Sequence, residues 1–360
     1  MIPPHGCGND LTGDSRSADG RIDRMRPDID DVLTDLHVVE LPLRRRFRGI
    51  ERRETALLRG PHGWSEFSPF VEYDDRESSR WLRAAIEFGW EEAPAPIRGR
   101  IPVNATVPAV PADDVAEVLD TFPGARTAKV KVAERGSELA DDLARVAAVR
   151  QALGGAGRIR VDANGAWNVD EAEHAIRQLE RFDIEYVEQP CATLDELAEL
   201  RGRIRRIGID IAADEGLRKA DDPDSVDLSD AADIVIVKAA PLGGIGPALR
   251  HAARLGLPVV VSSALETSVG LAMGAQLAAA LPDLRFDCGL GTAALLAADV
   301  TDRPLLPFDG GIDVRRVEPD PALLERWAAS PERTAWWRAR IERTHALLAA
   351  IPTTEDQSPE

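Results

Sequence analysis

Cysteine is scarce in this 360-residue chain, and the three present, Cys7, Cys191 and Cys288, are odd in number and far apart. They give neither a disulfide framework nor the paired spacing of a zinc site, and they point to a reduced, cytoplasmic protein. No apolar run reaches the ~20 residues that span a bilayer, and no secretory h-region follows the N-terminus. Positive charge is short as well. The 44 Lys and Arg residues against 62 Asp and Glu leave a net charge of −18, which excludes a uniformly basic nucleic-acid surface. The scarcest cation is lysine, at Lys129, Lys131, Lys219 and Lys238 alone, the other 40 basic residues being arginine. Arginine stays protonated at ordinary pH and accepts protons poorly. A lysine that persists in such a chain marks a place where an amine is needed, and three of the four fall on predicted strands.

What is present has a rhythm. Residues 1–24 are rich in Gly, Asp, Ser and Arg and read as a disordered extension, with Met25 an alternative start. Residues 25–98 read as an α+β capping domain. It has strands over Val32–Leu41, Arg53–Arg59 and Trp64–Val71, and an amphipathic helix over Ser78–Gly89. From Ile101 short apolar runs alternate with helical stretches: Ile101–Val107, Ala128–Val132, Arg158–Asp162, Ile184–Glu188, Asp210–Asp214, Asp233–Lys238, Leu257–Ser262 and Leu284–Asp287. From Lys131 on, their polar ends recur every 24–31 residues, the period of a βα unit. The expectation for residues 99–309 is therefore an α/β fold of the (β/α)8-barrel type carrying that cap. A doubly wound sheet is disfavoured because no Gly-rich phosphate loop follows the first strand. Residues 310–350 read as a strand and helices that pack back on the cap, and 351–360 as a frayed tail.

Barrel enzymes carry their chemistry at the C-terminal ends of the strands. In order, those ends read Lys131 (KVK), Asp162 (RVDAN), Glu188 (YVEQP), Asp214 (AADE) and Lys238 (IVK). Three carboxylates brought together repel one another unless a cation neutralises them. Oxygen donors suit Mg2+, or Mn2+, rather than zinc. A helix cap is the plain alternative for an Asp but a poor one for Glu188, because Glu caps weakly. Asn164 either supports this site or makes a turn. Lys129 and Lys131, two apart on a strand, share a face, and Val130 and Val132 take the other, so the lysines point into the barrel. A neighbouring ammonium and a metal ion both lower the pKa of Lys131 and prepare it as a general base. With Lys238 across the ring, the set suits removal of a proton from the carbon beside a carboxylate, the resulting charge being held by the metal.

These motifs together resemble the enolase superfamily, in its muconate-lactonizing-like branch. The longer stretches GWSEFSPFVEY (Gly63–Tyr73), VDANGAW (Val161–Trp167), VEQPC (Val187–Cys191) and SSALETSVG (Ser262–Gly270) most resemble its actinobacterial o-succinylbenzoate synthase family. The likeness covers residues 29–315. It implies Mg2+ on Asp162, Glu188 and Asp214, and Lys131 as the base of a syn dehydration in menaquinone biosynthesis. It also implies Lys238 as a cation facing the intermediate and Lys129 as an electrostatic aid that contacts a small-molecule carboxylate substrate. Glu215 either orients the site or starts a solvated helix. Ser262 and Ser263 either hold substrate or cap a helix. Arg44–Gly49 is placed to close over the site, although its four arginines also suit a solvated face. Racemisation of N-succinyl amino acids, or dipeptide epimerisation, would use the same lysines as two opposed bases. A barrel that only binds would be expected to have lost at least one of the five strand-end residues.

Overall fold

The computed structural model describes residues 26–350. The expected disorder of 1–24 and 351–360 lies outside the described residues. A short helix α1 (Ile29–Leu33) leads into an antiparallel sheet of β1 (His37–Phe47), β2 (Ile50–Gly60) and β3 (Gly63–Phe67), in that order. The strand expected over Val32–Leu41 is thus split, its first residues being helical, and the one expected over Trp64–Val71 stops at Phe67. Helix α2 (Asp75–Trp90) packs on this sheet through Trp81, Leu82, Ala85 and Phe88. Asp74 caps it by accepting from the Glu77 amide.

The hairpin and the helix meet at two glycines. A Cβ on Gly60 would lie 2.1 Å from the Gly89 carbonyl oxygen, so the backbones touch where no side chain fits. Gly60→Ala is expected to lower stability by about 1–3 kcal/mol, the usual range for overpacking. The midpoint of urea denaturation measures it.

The barrel follows. The stretch Ile101–Val107 is two strands, not one: β4 (Arg100–Pro102) and β5 (Ala105–Val107), with α3 (Val115–Asp120) after them. Then β6 (Thr127–Lys131), α4 (Leu139–Leu153), β7 (Arg158–Asp162), α5 (Val169–Leu179), β8 (Ile184–Glu188), α6 (Leu194–Ile204), β9 (Asp210–Ala213) and α7 (Glu215–Arg218) alternate. So do β10 (Ile234–Val237), α8 (Ile245–Leu255), β11 (Val259–Val261) and α9 (Ser268–Ala280). Strands β5 to β11 lie parallel in sequence order. The ring closes by single bridges, Cys288 to Val103 and Gly289 to Ser262. The eighth run expected at Leu284–Asp287 is therefore an extended segment that pairs one residue further on. Strands covered on both sides are built of continuous apolar runs such as Ile234–Val237, all buried.

Below the site a buried layer fixes the barrel floor. Arg160 donates to Glu185 Oε2 (2.6 Å), Asn104 Oδ1 (3.2 Å) and the Asp287 carbonyl (2.6 Å), and its guanidinium stacks 4.9 Å from the Tyr186 ring. A final strand β12 (Gly311–Asp313) pairs with β4, and helices α10 (Pro321–Arg326) and α11 (Pro331–Ala350) complete the described residues. Helix α11 lies against α2. Its Arg340 is buried and donates to the carbonyls of Phe70 and Tyr73 and to Ser78 Oγ. Among the described residues no helix is long and apolar enough to cross a membrane.

Candidate active site

Strand register brings the polar strand ends together. Lys131 pairs with Asp162, and Asp162 with Glu188, in successive parallel strands. Asp214 and Lys238 follow directly on β9 and β10. All five are buried, as is Lys129 one layer below. They pair acid to amine: Lys131 Nζ donates to Asp162 Oδ2 (2.5 Å), Lys129 Nζ to Glu188 Oε1 (2.9 Å), and Lys238 Nζ to Asp214 Oδ2 (2.5 Å). Lys129 also lies 3.2 Å from Asp162 Oδ2. Asp214 precedes α7 but its side chain makes no cap hydrogen bond to it.

The two lysines of β6 have opposite electrostatics. Burial lowers the pKa of Lys131 and the Lys129 ammonium adds to that, outweighing the attraction of Asp162. Burial opposes the charge on Lys129 too, but Glu188 and Asp162 together outweigh it and hold it protonated. One amine is thus poised to lose its proton beside another that keeps its own, the separation that acid–base sites are built on. The sequence reading named the neighbouring ammonium as a cause; burial is the larger one.

The acids diverge as well. Burial opposes ionisation of Asp162 and Asp214, yet the facing lysines, joined at Asp214 by Arg218, hold both well below the usual carboxylate range. Glu188 is pushed up to about 7 by burial and by the like charges of Asp162 and Asp214. The three acids therefore feel one another. Among the described residues no three acidic, histidine or cysteine side chains already converge on one point, because each acid leans onto its lysine. The donor set still fits a hard divalent cation: three buried carboxylates close enough to repel one another, an effect that shows at Glu188.

The residues around them fall into place. Asn164 takes both readings open to it. It turns the chain at φ +48°, and its Oδ1 accepts from Lys131 Nζ (2.7 Å) while its amide donates to Asp162 Oδ1 (3.0 Å). Glu215 is no solvated helix start. Its side chain is 12% exposed, and it accepts from Asn164 Nδ2 (3.4 Å) and from Arg218. Ser262 and Ser263 are not caps, because Thr267 caps α9 by accepting from the Val269 amide. Ser263 instead donates to the Gly289 carbonyl (2.7 Å), and both serines line the pocket.

That pocket, about 440 Å³ and open to solvent, is lined also by Lys129, Lys131, Asp162, Asn164 and Lys238. Three more of its residues escaped the sequence reading as site residues: Thr106, Arg218 and Thr292. Arg218 carried a signal, its place four residues after Asp214 on one short helix, and it donates to Asp214 Oδ1 (3.0 Å). The arginine run divides. Arg45 pairs with Asp114 and Glu117 away from the pocket, while Arg48 and Phe47 line it. The Phe47 ring sits 5.8 Å from Lys131 Nζ.

Two family descriptions match the chain: Enolase N-terminal domain-like over residues 38–89 and Enolase C-terminal domain-like over residues 113–319. The o-succinylbenzoate synthase of Mycolicibacterium smegmatis is 53% identical over 89% of this chain and 98% of its own. That of Thermobifida fusca is 56% identical over 86% and 96%. Among solved structures, the muconate lactonizing enzyme of Pseudomonas fluorescens superposes with TM-score 0.68 at 21% identity, covering 82% of this chain and 98% of that one. The N-succinyl Arg/Lys racemase of Bacillus cereus does so with 0.67 at 21%, covering 82% and 97%. At these identities the structures report the fold alone.

Proposed function

The chain belongs to the enolase superfamily, and from that membership and its site we propose that it is an o-succinylbenzoate synthase. In this reading it dehydrates 2-succinyl-6-hydroxy-2,4-cyclohexadiene-1-carboxylate to 2-succinylbenzoate, a step of menaquinone biosynthesis. The observation that carries the chemistry is the geometry of the buried set: Lys131 Nζ on Asp162, Lys129 Nζ on Glu188 and Lys238 Nζ on Asp214, with all three amines lining one pocket.

Asp162, Glu188 and Asp214 would hold a divalent ion, Mg2+ by the chemistry of the donors and with Mn2+ able to replace it. When bound, the ion supplies positive charge against the negative charge that develops on the substrate carboxylate. The chain's own residues do the rest. Neutral Lys131 takes the proton from the carbon bearing the carboxylate. The electron pair left behind forms the new ring double bond as the hydroxyl leaves from the adjacent carbon. Lys131, now an ammonium on the same face, returns its proton to that hydroxyl, which departs as water. Substrate thus becomes aromatic product plus water with no other reactant.

Lys129, held protonated, adds positive charge next to the carboxylate without competing for the proton. Lys238 faces the ring from the opposite side as a cation, where a ring face attracts it. Asn164 and Asp162 aim the Lys131 amine. Ser262 and Ser263 line the pocket and would receive the succinyl arm, and the Phe47 ring lies 5.8 Å from Lys131 Nζ as a neighbouring apolar wall.

The deciding assay offers the purified protein with Mg2+ both the cyclohexadiene substrate and a panel of N-succinyl amino acids. Dehydration is expected to have much the larger kcat/KM. Racemisation without dehydration would replace this reading with the two-base reaction that Lys131 and Lys238 are also placed to perform.

A further inference from the structure

The pocket wall between β11 and α9 is irregular backbone. Ser262, Ser263, Ala264 and Leu265 of this segment all line the pocket, yet Leu265 stands at φ +67°. Leucine disfavours this left-handed region because its Cβ crowds the following carbonyl. Such a conformation persists only where surrounding groups over-determine it. Glu266 of the same segment accepts from the Ala264 amide (2.6 Å), and two further groups that hold the segment come from the capping domain.

Arg53, on β2 of the capping sheet, is 2% exposed and absent from the pocket lining. Its Nε donates to the Leu265 carbonyl (3.2 Å), and its Nη2 donates to the carbonyls of Ala264 (3.5 Å) and Ser68. The guanidinium is fixed in turn by the Phe70 ring, 4.3 Å away. Glu66, on neighbouring β3, is 3% exposed and takes the far end of the same segment. Its Oε2 accepts from Thr267 Oγ1 (2.5 Å), the Thr267 amide (3.1 Å) and the Gly270 amide (3.1 Å). A Cβ on Gly270 would lie 2.9 Å from the Glu66 carboxyl carbon, so the approach is as close as the chain allows.

We propose that Arg53 and Glu66 are positioning residues of the capping domain that set the conformation of the 262–267 wall, and through it the fit of the substrate's succinyl arm. Neither lines the pocket; Arg53 acts through the backbone carbonyls of Ala264 and Leu265, which do, and Glu66 anchors Thr267 and Gly270 just beyond them. The cap is thereby a template for one side of the site as well as its cover. The proposal rests on the dehydratase reading above.

The test is Arg53→Met, which keeps the side chain's bulk and removes its donors. KM for the cyclohexadiene substrate is expected to rise about tenfold or more, the scale of lost charged hydrogen bonds. The kcat should stay within about threefold, since ground-state fit is lost and not the proton transfer. Arg53→Lys, which can reach one carbonyl, should recover part of the loss. In the crystal structure of the Arg53→Met protein Leu265 is expected to leave the left-handed region. An unmoved Leu265, or an unchanged KM, overturns the proposal. Should Arg53→Met not fold, Glu66→Gln, which removes the charge and one of the two acceptor oxygens, is read by the same two measurements. If the parent protein shows no dehydration, it is the function reading that fails, and the position of Leu265 still decides the inference.

Discussion

Replacing Lys131 by alanine is expected to lower kcat for dehydration by about 100- to 10,000-fold, the range for loss of a positioned general base. The fold should survive, because the cavity left opens into the pocket that Lys131 already lines. Lys131→Arg is the sharper variant. It keeps a cation beside Asp162 but stays protonated at any working pH, so it should be as inactive as alanine. The pH profile of the parent follows from the direction of the Lys131 shift. The pKa is lowered, and the reactive form is the neutral amine. The kcat/KM should therefore rise with pH through that pKa and level off below the ordinary lysine value of about 10.4. Full activity in Lys131→Ala would remove this residue from the mechanism.

Stripping divalent ions with EDTA should abolish dehydration, by about a thousandfold or more given the several kcal/mol such an ion contributes to charge stabilisation. Added Mg2+ should restore it. Folding should persist without the ion, because each of the three acids has a lysine partner within 2.9 Å. A second readout separates ion binding from turnover. At 100 times its Kd, Mg2+ should add about 2.7 kcal/mol to stability, seen as a raised thermal midpoint. Glu188→Gln should lose that response. It removes the carboxylate that burial and its two acidic neighbours hold at about 7, the group with most to gain from a cation. A Mg2+-independent dehydration, or a midpoint indifferent to Mg2+, would count against the carboxylate site.

The polar rim at the strand ends was the most legible part of this protein. Lys131, Asp162, Glu188, Asp214 and Lys238 stand out in one dimension because each ends an apolar run where another apolar residue is the default. The parallel ladder then sets Lys131, Asp162 and Glu188 opposite one another, and Asp214 and Lys238 follow past the last residues of β9 and β10. The boundaries were less legible. β4 and β5 read as one strand because both are apolar, and only the pairing of β4 with β12 from the far end of the chain divides them. Likewise the eighth run pairs at Cys288 and Gly289, where closing the ring needs it.

What the sequence determined by itself was the repeat, the identity of the five rim residues and the family, since periodicity and residue type are local properties. What only the tertiary structure decided was the protonation and the aim of those residues. Lys129 and Lys131 are chemically identical and two positions apart. Burial desolvates both. They differ because Glu188 and Asp162 together outweigh it at Lys129, while at Lys131 the Lys129 ammonium adds to it. Likewise Arg53 and Glu66 read as ordinary cap residues until the cap is laid on the barrel and the Leu265 carbonyl and Thr267 amide come within reach. Burial and distance act through space, at Arg53 and Leu265 between residues 212 positions apart, and no local pattern carries them.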